Sequence, residues 1–291
     1  MPANALLLML STLAGTPGQA EDGNAPDAFV SRTHVSIPKQ AGDYVLEGTT
    51  FDPSNRAAGV GARFSHPDHP KTRFDLYIYP AGQMEAGQAI EYGMQDFIGT
   101  FQYATAQGAY RDLEILDRTT FPLPLEIGEE LVPHDPTDPL AEIVLASREK
   151  AIPGERLKLS MRHLPSNLPL QSRGYLFYRQ MYYFKGRISA AEYSMDIPAF
   201  DALADDAMRT LVPAISALNV GSCATINVPV DDSEPDEEKR MQFGAIALVK
   251  GIARVKANNC TGELSTERLA ELTANSEVVT IEFAPDEWSS P

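Results

Sequence analysis

Cysteine is scarce in this chain, with only Cys223 and Cys260 among 291 residues, and neither has a second Cys or a His at ligand spacing. That excludes the common structural zinc site, which gathers four closely spaced Cys and His ligands. Basic residues are also short, since 24 Lys and Arg face 40 Asp and Glu and leave a net charge of −16. A footprint for nucleic acid or for an anionic membrane needs the opposite sign, so neither is expected as a main partner. No apolar run reaches the ~20 residues needed to cross a bilayer. Also missing are a G-x-S-x-G elbow, H-E-x-x-H, C-x-x-C and a P-loop, and no cofactor is expected. "GVGARF" (59–64) opens like a dinucleotide loop, but Phe64 stands where the third glycine belongs.

What the N-terminus does have is an uncharged, apolar opening. Ala5 to Ala14 is apolar for about ten residues, too short to span. Gly18 and Ala20 place small residues at −3 and −1 of a cut before Glu21, which predicts a signal peptide over 1–20 and a periplasmic or secreted protein. A disordered apolar N-terminus is the alternative. In an exported chain Cys223 and Cys260 are expected to pair, closing a loop worth about 4 kcal/mol. In a reducing compartment they would be free thiols.

Hydrophobic residues make up 43% of the chain, enough for a sizeable core. Residues 42–80 read as strands and turns, with Phe74, Leu76 and Ile78 alternating against Asp75, Tyr77 and Tyr79. Ile90, Met94, Phe97, Phe101 and Ala104 recur at helical spacing, with Gly108 at the end. "YRDLEILDRTTF" predicts a strand, and 121–140, with five prolines, an irregular excursion. Pro153-Gly154 predicts a type II turn between two strands. In the second of these, Leu157, Leu159, Met161 and His163 oppose Arg156, Lys158, Ser160 and Arg162.

"YLFYRQMYYFKGR" (175–187) holds six aromatic and three basic side chains. It predicts a hairpin bending near Arg179–Met181, with one long strand as the alternative. Tyr182, Phe184, Gly186 and Ile188 share one face, and Tyr183, Lys185, Arg187 and Ser189 the other. A second helix follows Asp196, its stripe running from Phe200 through Leu203, Ala207, Leu211 and Ile215 to Leu218, kinked at Pro213. Residues 222–291 predict an appended α/β unit: a strand in "ATINVPV", an acidic connector, a helix face of Met241, Ala245, Leu248, Ile252 and Val255, a short helix after Ser265, and a last strand, "SEVVTIEFA".

This order of hairpin strands, long helix, four-strand meander and closing helix over 42–220 resembles the PsbP/Mog1-like α/β sandwich. The resemblance implies an α+β fold with an antiparallel sheet and long helices packed on it, and a binding or accessory module. It carries no catalytic residue across. The expected organisation is signal peptide 1–20, sandwich domain 21–221 and disulfide-stapled unit 222–291.

Two constellations stand out. His66, Asp68 and His69 in "HPDHP" are metal-ligand types, but three ligands flanked by Pro67 and Pro70 equally describe a stiff loop. Between Arg148 and Arg187 lie nine basic and two acidic residues, net +7, which leaves −23 for the remainder of the chain. Arg156, Lys158, Arg162, Lys185 and Arg187 are expected to point away from the apolar faces. With Tyr183 they form the candidate docking surface for an anionic ligand or an envelope protein. The competing readings are an ordinary solvated sheet back, or neutralisation by the acidic run 231–238. The functional expectation is an exported binding or accessory protein acting through protein contact. A hydrolase whose residues converge only in the fold is the alternative.

Overall fold

The computed structural model describes residues 28–124, 151–228, 236–285 and 287–288. The expected signal peptide, most of the proline-rich excursion and most of the acidic run lie outside them.

The chain is α+β. Its strands are β1 (Arg32–Pro38), β2 (Gln40–Ala41), β3 (Tyr44–Phe51), β4 (Val60–Ser65), β5 (Arg73–Pro80), β6 (Tyr110–Thr120), β7 (Leu123–Pro124), β8 (Ala151–Ile152), β9 (Gly154–His163), β10 (Leu168–Arg179), β11 (Tyr182–Ala191), β12 (Ser216–Val220), β13 (Cys260–Thr261) and β14 (Ser276–Glu282). The helices are α1 (Ala86–Ala106), α2 (Ile197–Ala214), α3 (Glu237–Ala257) and α4 (Thr266–Ala274). An eight-stranded sheet runs β2-β3-β4-β5-β11-β10-β9-β6, and a four-stranded one β13-β12-β1-β14. All pairings in the large sheet are antiparallel.

Both sides of the large sheet carry a core. On one side Phe74, Leu76, Ile78, Tyr175, Phe177, Tyr182, Phe184 and Ile188 pack with α2 and with Val35, Ile37, Ala217 and Ile281 of the small sheet. On the other, Leu157, Leu159, Met161, Leu176, Tyr178 and Tyr183 meet Ile90, Met94, Phe97 and Phe101 of α1. α1 starts where the Glu85 carboxylate accepts from the Gln88 N–H, and the chain turns away at Gly108 with φ 76°. The hairpin between β10 and β11 turns on Gln180 and Met181, at φ 55° and 64° without a glycine. That strained pair costs about 1–3 kcal/mol per residue. Tertiary bonds hold it: Ala217 N–H donates to Gln180 Oε1, Asn219 Nδ2 to the Gln180 carbonyl, and Ala81 N–H to the Met181 carbonyl.

Several expectations need correction. Pro153-Gly154 makes no hairpin turn: Gly154 opens β9 without positive φ, and Tyr178 N–H donates to the Pro153 carbonyl. Glycine is required there because a Cβ would stand 2.3 Å from the Phe177 ring. The α2 stripe ends at Ala214, with Pro213 in its last turn rather than at a mid-helix kink, and Leu218 belongs to β12. Thr225–Val228, expected as a strand, pairs in no sheet of the described residues. The last strand, expected in an appended unit, adds to β1 in register from Pro38↔Ser276 to Arg32↔Glu282. Cys223 and Cys260 are joined as a disulfide, with their Cα atoms 5.8 Å apart.

Candidate functional site

Cross-strand partners share a face of a sheet, so register settles where the basic residues point. Arg156 lies opposite Tyr175, and Tyr175 opposite Gly186; Lys158 lies opposite Arg173, and Arg173 opposite Ile188. All of these face α2. Leu157 lies opposite Gly174, and Gly174 opposite Arg187, which puts Lys185 and Arg187 on the α1 side. The expected single basic face therefore does not exist. The strands alternate regularly, but helices cover both sides, so each side is apolar and each carries cations. Tyr183, expected to be outward, is 8% exposed beneath α1, and its hydroxyl donates to the Ala89 carbonyl.

On the α2 side the cations are consumed by two helix carboxylates one turn apart. Asp205 accepts from Arg156 at 2.8 Å and from the Tyr175 hydroxyl at 2.6 Å. Asp201 accepts from Lys158 at 2.7 Å and from Arg173 at 2.5 Å. Burial works to raise the Asp201 pKa, but these hydrogen bonds and the two positive charges prevail and lower it. Asp201 and Asp205 neutralise this face, and most of the 231–238 run lies outside the described residues. Arg162, at the far end of β9, donates to the Asn167 carbonyl and lies 3.7 Å from Asp112.

The α1 side is different. Lys185 Nζ stands 5.7, 5.1 and 5.1 Å from the ring centres of Tyr77, Tyr79 and Phe97. Among the described residues it has no carboxylate within ion-pair distance. Burial pushes its pKa down, with Asp96 opposing and Arg187 reinforcing the shift. Arg187 lies over Phe101 and Tyr110 and donates to the Tyr110 hydroxyl, while its buried Nε has no partner among the described residues.

α1 lies over β6, β9 and β10, and beyond it the same side of β3, β4 and β5 is open. Val45 is 44% and Tyr77 38% exposed there. Between these strands runs a shallow groove of about 270 Å³, lined by Glu47, Thr50, Gly61, Arg63, Asp75 and Tyr77 among others. Gly61 forms its floor, since a Cβ would stand 2.5 Å from Thr50 Oγ1. Arg63 donates to Asp75 at 2.7 Å, which sets one fixed ion pair in the groove wall. Tyr77 connects groove and helix: its ring faces the groove and also meets Lys185. Of the expected surface, Tyr183, Lys185 and Arg187 thus gather beside one opening, whereas Arg156, Lys158 and Arg162 lie across the sheet from it.

His66, Asp68 and His69 form a tight loop. The Asp68 N–H donates to His66 Nδ1 at 3.2 Å, and the His66 ring lies 5.1 Å from Tyr44. Among the described residues no group of three or more His, Cys, Asp or Glu is placed to hold a metal. His34 Nδ1 is 2.9 Å from Thr280 Oγ1, and His163 Nδ1 is 2.7 Å from Ser166 Oγ, but neither histidine lines the groove.

Sequence reasoning missed Asp201, Asp205, Arg63 and Tyr77. The first two stand four residues apart beside the apolar stripe of α2, a spacing that sets acids on one helix side opposite a basic strand. For the groove there was no local signal, because its residues come from three strands.

Known proteins resemble this chain in fold alone. A cyanobacterial PsbP (CyanoP) from Synechocystis sp. PCC 6803 matches 70% of this chain and 98% of its own, at 11% identity and TM-score 0.36. A protein of unknown function from Pseudomonas aeruginosa matches 49% of this chain and 72% of its own, at 13% identity and TM-score 0.29. No family model and no curated protein matches the chain. Among the described residues no helix is long and apolar enough to cross a membrane.

Proposed function

We propose that this is an exported binding or accessory protein that acts through contact with another protein, using the open half of the large sheet beside α1. The observation that carries this reading is the groove itself. It is shallow, polar at its rim and aromatic at its boundary, and its lining contains an ion pair, hydroxyls and a tyrosine but no histidine or cysteine. Such a surface suits recognition of an extended polar segment better than chemistry on a bound substrate, which calls for an acid or base converging with a nucleophile in an enclosed site. Lys185, which has no ion-pair partner among the described residues, stands at the border of this lining through its contact with Tyr77. Export is supported by the cysteine pair and by the apolar opening of the sequence.

The test is affinity capture from an envelope extract with the full chain and with Tyr77→Asp/Arg63→Glu, the variant being shown by far-UV circular dichroism to be folded. A protein held by the wild type and lost from the variant is the expected result. Capture that ignores the substitution would remove the groove from the reading. Turnover of generic esters, phosphoesters or peptides by the pure protein would favour the hydrolase instead.

A further inference from the structure

Asn219, a fully buried side chain of β12, joins three parts of the chain. Its Nδ2 donates to the Asn258 carbonyl at 2.7 Å and to the Gln180 carbonyl at 3.1 Å, and its Oδ1 accepts from the Thr33 hydroxyl at 2.7 Å. One amide thus ties β1, the turn between β10 and β11, and the residue that follows α3. Beside it Asn259 Nδ2 donates to the Ala217 carbonyl at 2.9 Å, and Ala217 N–H donates to Gln180 Oε1 at 2.8 Å. Gln180 and Met181 stand at positive φ without a glycine, so their turn depends on these tertiary bonds. On its other side the Met181 carbonyl accepts from Ala81 N–H at 2.9 Å and from Gly82 N–H at 3.2 Å. The Tyr178 hydroxyl donates to the Gly82 carbonyl and accepts from Met84 N–H. Residues 81–84 lead straight into α1 at Glu85.

The Asn258 end of this network is thinly secured. β13 is only Cys260 and Thr261, and it pairs in parallel with Asn219 and Val220 at the edge of the small sheet. Asn219 N–H donates to the Asn259 carbonyl at 2.9 Å, and Gly221 N–H to the Thr261 carbonyl at 3.2 Å. So short a parallel pairing is marginal by itself. The bond from Cys260 to Cys223 fixes it, and Cys223 N–H is held in turn by the Phe29 carbonyl at 2.9 Å.

We propose that the Cys223–Cys260 disulfide is a redox-sensitive latch which, through Asn219, holds the β10–β11 turn and the start of α1. A dithiol reductant opens it. One thiolate attacks the sulfur of Cys260, which is half-buried where Cys223 is 2% exposed, and Cys223 leaves as a thiolate and takes up a proton. The second thiol of the reductant then displaces the Cys260 sulfur, so two electrons and two protons pass to the pair and the reductant departs as its own disulfide. β13 frays and the Asn258 carbonyl withdraws. With one of its two acceptors gone the Asn219 amide is no longer fixed, and the Gln180 carbonyl loses its anchor. The latch does not depend on the groove being a docking site.

Amide NMR spectra of the full chain, oxidised and reduced with dithiothreitol, test the proposal in the native state, apart from any change in global stability. On reduction the amides of Ala81, Gly82, Met84 and Ala217 should lose their hydrogen-bonded proton shifts or broaden, while those of β4, beyond β5 in the sheet, stay in place. Asn219→Leu should displace the same four amides in the oxidised protein, and reduction should then move them little further. The wild-type comparison involves no substitution, so it decides the matter whether or not the Asn219→Leu chain folds. Changes confined to residues 219–224 and 258–261 would overturn the latch. So would changes spread equally over β4, or complete unfolding on reduction, because the bond would then act on the whole fold and not on one turn.

Discussion

Asp201→Asn should be among the most damaging single changes to a polar residue of this protein. The carboxylate takes two cations, Lys158 at 2.7 Å and Arg173 at 2.5 Å, and Arg173 is 2% exposed with its guanidinium 5.0 Å over the Phe200 ring. The amide keeps the shape but removes the charge. Arg173 is then left buried without its counter-charge, with the neutral amide oxygen and the Ser172 carbonyl as acceptors. Breaking a buried pair from one side typically costs about 3–5 kcal/mol. With a urea slope of about 3 kcal/mol/M, the unfolding midpoint should fall by about 1–1.7 M. Urea titrations followed by far-UV circular dichroism and by tyrosine emission measure the shift and check that the two probes coincide. Adding Arg173→Met to Asp201→Asn should recover part of the loss, because the unpaired charge leaves with the arginine. The pH dependence has a defined sign. The Asp201 pKa is lowered in the folded protein, so its contribution is fully present above the unfolded value of 3.8 and is lost as pH falls through the folded one. The gap between wild type and variant should therefore hold from neutrality down to about pH 4 and close below it. A variant that loses less than about 1 kcal/mol, the scale of an exposed pair, would refute the claim that Asp201 anchors α2.

Phe184→Ala and Tyr183→Ala should each cost about 3–5 kcal/mol, because both faces of β11 are covered; calorimetry showing Tyr183→Ala neutral would mean that α1 is not seated on the sheet. Lys185→Met should leave stability at neutral pH equal or higher. The Lys185 pKa is lowered from 10.5 in the folded protein, so wild type should gain on the variant as pH rises from the lowered value towards 10.5, read by thermal melts at neutral and alkaline pH. Replacing both cysteines by Ser should cost about 4 kcal/mol, the entropy of a loop spanning the 37-residue separation of Cys223 and Cys260, and denaturant midpoints with and without the bond measure it.

Local features were legible from the residues alone. The α1 stripe, the alternation in β5, the bend of the hairpin and the short helix after Ser265 each follow from spacing within one segment. The two misplaced boundaries have one cause. At Pro153-Gly154 and at the end of α2 a local preference was read as decisive, and a tertiary contact overrode it. Phe177 needs the space over Gly154, and Ala217 is paired with Val35 of β1, which holds 216–220 extended. The destination of β14 was illegible for a similar reason. Nothing within "SEVVTIEFA" states that its neighbour lies more than two hundred residues earlier.

The basic residues were harder because alternation fixes which side chains share a face but not how many faces are buried. In a sheet with one solvated side, Arg156, Lys158, Lys185 and Arg187 would all have to be outward. Here each side is roofed by a helix, and the two helices meet the charge differently. α2 brings Asp201 and Asp205 to its cations, so that side is closed both sterically and electrostatically. α1 brings rings: Phe97 over Lys185 and Phe101 over Arg187. Aromatic faces stabilise a desolvated cation by about 0.5–2 kcal/mol, less than a full counter-charge supplies, and they leave the net positive charge in place. The α2 side therefore meets its cations with carboxylates in direct contact, whereas Lys185 on the α1 side has no ion-pair partner among the described residues, and the groove of Arg63, Asp75 and Tyr77 opens beside it. That asymmetry is why the docking site is sought there and not around Arg156 and Lys158, although all four cations read alike in the sequence.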